Sequence, residues 1–118
     1  MNLEEFRAYC LQKKGVEEGM PFGDNVLVFK VMGKLFALTD IDQFESVNLK
    51  CDPEYAVTLR EEYDGSIIPG YHMNKKHWNT VMVNSDVSDQ LLLRLTDESY
   101  ELVVKGLTKK ARATLHSM

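Results

Sequence analysis

Two stretches of this 118-residue chain have no acidic side chains. Between Gly65 and Ser85 there is no Asp or Glu, and Lys75 and Lys76 are the only Lys or Arg residues. From Leu102 to Met118 acid is missing again, while Lys105, Lys109, Lys110 and Arg112 are present. The whole chain has a net charge of −4, so the remaining residues together carry −10. A net acidic chain argues against coating nucleic acid through bulk charge. A local basic patch stays open if the two segments meet in space.

Cysteine is scarce. Cys10 and Cys51 are far apart and form no C-x-x-C, which removes zinc knuckles and thioredoxin-type pairs. Both are expected as free, core-facing thiols. No apolar run approaches the ~20 residues of a membrane helix. The opening MNLEEFRAYC carries Glu4 and Glu5 and lacks the basic start and apolar core of a signal peptide. A cytoplasmic location with no membrane contact is the expectation. No internal repeat or Pro/Ser-rich linker divides the chain, so residues 1–118 are expected to form one domain.

Catalytic signatures are also absent. H-E-x-x-H, G-x-S-x-G and the P-loop spacing do not occur. His72 and His77 stand five apart, and no carboxylate lies near them in sequence to complete a metal site. Adjacent acids such as Glu17-Glu18 and Glu61-Glu62 read as solvated charge. No catalytic residue, metal ligand or cofactor is assigned.

What is present is a regular alternation of elements. Leu3, Phe6 and Cys10 share one helical face over about residues 2–14, with Lys13, Lys14 and Gly15 suiting its end. GVEEGMPFGDN reads as a loop. NVLVFKVMGKLFALTD reads as a hairpin turning at Gly33. In FESVNLKCD, Val47, Leu49 and Cys51 point one way and Ser46, Asn48 and Lys50 the other, as in an antiparallel strand with one wet face. Asp52 and Pro53 open a second helix, with Tyr55, Leu59 and Tyr63 on one side, and Asp64-Gly65 closes it. SIIPGYH and HWNTVMVN read as strands. The longest helix follows, capped by Asp86 or Ser88 and striped by Leu92, Leu95, Ser99 and Leu102. Gly106 ends it, and Thr108 caps a short last helix. The order α-β-β-β-α-β-β-α(-α) predicts a two-layer α+β sandwich, an antiparallel sheet with helices on one face.

PGYHMNKKHWNT, Pro69 to Thr80, concentrates the polar chemistry. In a functional reading it is a ligand-contacting wing. Lys75 and Lys76 attract phosphates, His72, Asn74 and His77 shape the wing or hydrogen-bond the ligand, and Trp78 or Tyr71 stacks on a base. In a structural reading Trp78 is the core's largest side chain, and His72 and Asn74 bond the backbone of an irregular turn.

HMNKKHWNTV, followed by LLLRLTDESYELVVKGLTKKAR, resembles the MmcQ/YjbR family. The motif residues are His72, Met73, Asn74, Lys75, His77, Trp78, Ser99, Tyr100, Leu102, Val103 and Val104. The likeness extends through YCLQKKGVEEGMPFGDNVLVFKV, KLFALTD and VNLKCDPEYAVTLREEY. The resemblance implies a CyaY-like fold in a stand-alone, single-domain form. It also implies a suggested DNA-binding role through a double-wing arrangement. The expected function is a small cytoplasmic binding protein, more a binder than an enzyme, and a monomer. The candidate partners are DNA and another protein. For DNA, Lys75, Lys76, Lys109, Lys110 and Arg112 would meet phosphates. For a protein partner, the chain would act as an interaction or chaperone-like module. It would use an exposed sheet face or edge, with Met20, Met32, Met73 and Met82 as adaptable contacts. A small-molecule enzyme would need a pocket beside His72 and His77.

Overall fold

The structure is a computed structural model that describes residues 1–118. Helix α1 (Leu3–Leu11) is capped by Asn2, whose side chain accepts from the Glu5 N–H while Glu5 reaches back to the Asn2 N–H. Strands β1 (Val16–Gly19), β2 (Val26–Val31), β3 (Lys34–Asp40) and β4 (Ser46–Lys50) follow. Helix α2 (Pro53–Glu62) starts on the Asp52 cap with proline at its first turn. Strands β5 (Ile67–Pro69) and β6 (Trp78–Met82) lead to α3 (Asp89–Lys105) and α4 (Lys109–His116). Ser88, not Asp86, caps α3, and Thr108 caps α4.

The six strands form one antiparallel sheet in the order β1-β2-β3-β4-β6-β5. All the helices that touch it lie on one face. Phe6 of α1 meets Phe29 edge-on at 5.9 Å, α3 crosses β3 and β4, and α2 backs β5 and β6. Val47, Leu49 and Val81 point into this core beside Leu59, Leu92 and Leu95. Cys10 is buried, and Cys51, just past β4, is half-buried. The alternation in β4 therefore holds, and the two-layer α+β arrangement is the one expected.

The segment GVEEG, expected as loop, is instead the edge strand β1. Val16 pairs with Val31 and Gly19 with Val28. Local propensity for strand is weak there, but the free edge of β2 supplies a ladder. Glu17 and Glu18 are exposed, the charged sort of edge that discourages further pairing. Arg7 of α1 clasps Glu18 through Nε–Oε1 at 2.7 Å and Nη2–Oε2 at 2.5 Å, fixing the strand to the helix.

The β2–β3 turn consists of Met32 and Gly33 at φ +49° and +80°, a pair of left-handed residues suited to a two-residue hairpin. Phe36 is an extra residue in β3, since Phe29 pairs with Ala37 and Lys30 with Leu35. Ser99 of α3 resolves this bulge. Its hydroxyl donates to the Phe36 carbonyl at 2.6 Å and accepts the Lys50 N–H at 2.9 Å. Tyr100 beside it donates to the Lys14 carbonyl at 2.6 Å. The Ser-Tyr of the long helix thus joins three parts of the backbone. No helix is long and apolar enough to cross a membrane.

Candidate binding cleft on the open sheet face

The second face of the sheet carries no helix. Val28, Leu38, Asn48, Thr80 and Ile68 follow one another across it in register. Here the β5–β6 connection folds back over the strands. The Asn48 amide donates to the Tyr71 carbonyl at 3.2 Å, and the Tyr71 N–H donates to Thr80 Oγ1 at 2.9 Å. The Thr80 hydroxyl in turn donates to Asn48 Oδ1. Asn48 and Thr80 are buried as a result, so each polar group of this closed network has a partner.

Below the loop, Arg60 of α2 holds its return. Nε donates to Asn79 Oδ1 at 2.7 Å, and Nη2 donates to the carbonyls of Lys75 and Trp78. Asn74 caps the turn by accepting the Lys76 N–H at 2.9 Å, and its carbonyl receives the N–H groups of His77 and Trp78. Gly70 lies against Trp78; a Cβ there would stand 2.8 Å from Trp78 Cβ and 2.9 Å from its carbonyl oxygen. His72 adopts φ +59°, a left-handed conformation that costs a non-glycine residue roughly 1–2 kcal/mol. Its ring lies 4.0 Å from that of Tyr71, centroid to centroid.

This loop and the 20–25 loop wall a cleft of about 500 Å³. Tyr71, His72 and Met73 line one side and Phe22 another; Leu38 and Asn48 belong to the floor. Phe22 and Tyr71 are each 66% exposed, so large aromatic surface faces solvent at the cleft. Asp40 is the one acidic side chain in the lining, and it is engaged by the N–H groups of Gln43 and Glu45 at 3.2 Å.

The expected site residues are only partly gathered here. His72, Asn74, Lys75 and Lys76 are exposed on the loop, and His77 is half-buried. Lys75 Nζ turns inward to the Gly70 carbonyl at 3.2 Å, leaving Lys76 as the outward cation. Trp78 corrects the core reading. It is half-buried, stands outside the core cluster, and shares the open face with Thr80 because the two are two residues apart on β6. Lys109, Lys110 and Arg112 are elsewhere. Helix α4 is seated by Leu115 in the core, and Lys14 Nζ reaches the His116 carbonyl at 3.5 Å, next to the start of β1. The loop belongs to β5 and β6 at the opposite end of the strand order. The Lys75–Lys76 loop and the α4 cations Lys109, Lys110 and Arg112 are thus on separate surfaces.

Phe22, Asn48, Thr80 and Arg60 were not singled out by the sequence. Phe22 had one signal, an aromatic set among the glycines and proline of GMPFGDN, where no core is available to hide it. Asn48 had another, the outward phase of its strand. Arg60 had none, because its partners are distant in sequence. No group of three or more His, Cys, Asp or Glu side chains is placed to share a metal ion.

A helix-backed antiparallel sheet with a loop-walled cleft on its free face is a two-layer α+β domain. The YjbR family model matches residues 11–102, and the chain belongs to the YjbR family. It is 41% identical over 108 residues to YbdF of Escherichia coli O157:H7, covering 91% of this chain and 88% of that protein. It is 32% identical over 116 residues to YjbR of Escherichia coli K12, covering 98% of each. Among solved structures, protein DR2400 of Deinococcus radiodurans, a DUF419 domain, is 42% identical with a TM-score of 0.91, over 98% of this chain and 88% of that one. A Pseudomonas syringae protein is 28% identical with a TM-score of 0.72, over 86% and 98%.

Proposed function

We propose that this YjbR-family chain is a cytoplasmic binding protein without catalytic activity, and that it receives single-stranded DNA on the open sheet face. The observation that carries this reading is the pair of exposed aromatic rings, Phe22 and Tyr71, on the walls of one cleft. Exposed aromatics beside a sheet are stacking platforms for unpaired bases, and they tolerate any sequence. The cleft suits a base rather than a phosphate, because its charged wall is the Asp40 carboxylate. Phosphates belong on the outer rim, where Lys76 is exposed and Lys75 is within the same turn. The basic α4 is too far along the sheet to join that rim, so few phosphates are engaged and the salt dependence is shallow.

The test is Trp78 emission during titration with oligothymidylate at low and moderate salt. Trp78 stands on the same sheet face, two residues from Thr80, whose hydroxyl bonds Asn48 of the cleft floor. Saturable binding that weakens with salt, with a smaller salt slope in Lys75→Ala/Lys76→Ala, supports the reading. Binding to duplex but not to single strands overturns it.

A protein partner is the second reading. It is favoured by Met20 and Ile68, exposed at 41% and 36%, which are further exposed apolar side chains besides Phe22 and Tyr71. Edge pairing fits less well, since β1 carries exposed acids and β5 is three residues ending in Pro69. A monomer by light scattering that recovers no protein from lysate counts against this reading.

A further inference from the structure

We propose, on the reading of the open-face cleft as a stacking site for unpaired bases, that the cleft prefers guanine and that Asp40 selects it. Stacking on Phe22 and Tyr71 accepts any base; the carboxylate adds a choice among them.

Asp40 stands two residues after Leu38 on β3, so its side chain takes the same open face. Its partner across the ladder is Val26, where the 20–25 loop rejoins the sheet. The Ile41 N–H donates to the Asn25 carbonyl at 3.0 Å, which ties that loop to the end of β3. The half-buried carboxylate is thereby set beside the loop that carries Phe22, and it borders the cleft. No Lys or Arg lines the cleft to neutralise it.

The Gln43 N–H reaches Asp40 Oδ2 and the Glu45 N–H reaches Oδ1, each at 3.2 Å. A carboxylate offers about four acceptor positions over its two oxygens. The two backbone donors use one on each oxygen and leave one on each for a ligand. They also hold the group in one orientation before a ligand arrives, which lowers the cost of binding.

Two acceptors held side by side discriminate among bases by the Watson–Crick edge. Guanine alone presents two adjacent donors, N1–H and N2–H, which a carboxylate accepts as a charge-assisted pair. Adenine and cytosine each set an amino donor beside a ring-nitrogen acceptor, which would face the second oxygen lone pair to lone pair. Thymine has the single donor N3–H between two carbonyls. Ser46, two residues before Asn48 on the same face of β4, also borders the cleft and brings a hydroxyl for guanine O6. Hydrogen bonding to this edge of unstacked bases is how single strands are read in sequence.

The experiment is fluorescence anisotropy of the full chain with short end-labelled oligothymidylates whose central base is thymine, guanine, hypoxanthine, adenine or cytosine. Central guanine should tighten binding about tenfold or more over thymine, adenine and cytosine. Hypoxanthine keeps O6 and N1–H and lacks only the 2-amino group, so it should forfeit most of that gain. Asp40→Asn should abolish the difference between the guanine and thymine strands. The hypoxanthine arm uses the wild-type chain, so it stands whatever Asp40→Asn does to the 40–45 turn. Guanosine alone should bind more weakly than the guanine strand, which is also held through its flanking bases and phosphates. Equal affinity for guanine and thymine strands overturns the proposal. So does equal affinity for guanine and hypoxanthine, or a guanine preference that survives in Asp40→Asn. In each of these cases oligothymidylate still binds, so guanine selection fails while DNA binding stands. Failure of every strand to bind removes both. Guanosine binding as tightly as the strand overturns the strand as the ligand.

Discussion

Asn48 and Tyr71 are joined across twenty-three residues of sequence by one hydrogen bond, from the Asn48 amide to the Tyr71 carbonyl at 3.2 Å. This bond sets where the exposed ring of Tyr71 stands over the sheet. Asn48→Ala leaves the buried Thr80 hydroxyl without its acceptor and frees the loop. The expected cost is about 1–3 kcal/mol in urea unfolding. Amide exchange should quicken at Tyr71 to Met73 while the β2–β3 hairpin keeps its protection. Unchanged exchange in the loop would show that Asn48 does not hold it.

Gly70 and Gly106 should respond oppositely to alanine. At Gly70 a Cβ meets Trp78 at 2.8 Å, so the loop must shift, at about 1–3 kcal/mol. At Gly106 the nearest atom is the Val103 carbonyl oxygen at 3.5 Å and φ is −83°, so alanine fits and should stabilise by about 0.4–1 kcal/mol through the unfolded chain. Denaturation midpoints of the two variants check the contrast. Equal midpoints would contradict it.

Ser99 holds the β3 bulge to β4 through α3. Ser99→Ala orphans the Phe36 carbonyl and the Lys50 N–H, at about 1–3 kcal/mol for each group left unsatisfied. Calorimetry should show a lower melting temperature with the fold retained. A variant as stable as wild type would mean that water replaces the hydroxyl.

Burial governs both thiols. It pushes Cys10 up to about 12, and Cys51 up to about 11 with help from Glu98 and Asp52. Neutral thiols are thus favoured in the fold, and the unfolded chain ionises first, near the ordinary value of 9. Their contribution is complete below pH 9 and is lost as pH rises towards 11 and 12. Native alkylation followed by mass spectrometry should label half-buried Cys51 before fully buried Cys10. Labelling of Cys10 first would contradict the packing of α1 on the sheet.

Much of this fold was legible because burial writes itself into period. The stripe of α3, the alternation of Val47 and Leu49, and the caps at Asp52 and Thr108 are local signals. Strand β1 was not legible, because VEEG is recruited by the edge of β2 rather than by its own propensity. Trp78 misled by size, since a lone tryptophan suggests core, while strand phase sets it on the face of Thr80. The cleft was half legible. Its loop residues were visible as a polar cluster, but Phe22 comes from a distant loop, and only the sheet brings it to the same cleft as Tyr71.

The most direct measurement is the affinity of the wild-type chain for oligothymidylate set beside that of Tyr71→Ala and Phe22→Ala. Both side chains are exposed, so both variants should keep the wild-type circular dichroism. Each should lose about 1–3 kcal/mol of binding if its ring stacks on a base. Variants that bind as tightly as wild type, or a wild-type chain that binds no oligothymidylate at low salt, would contradict nucleic-acid binding in this cleft.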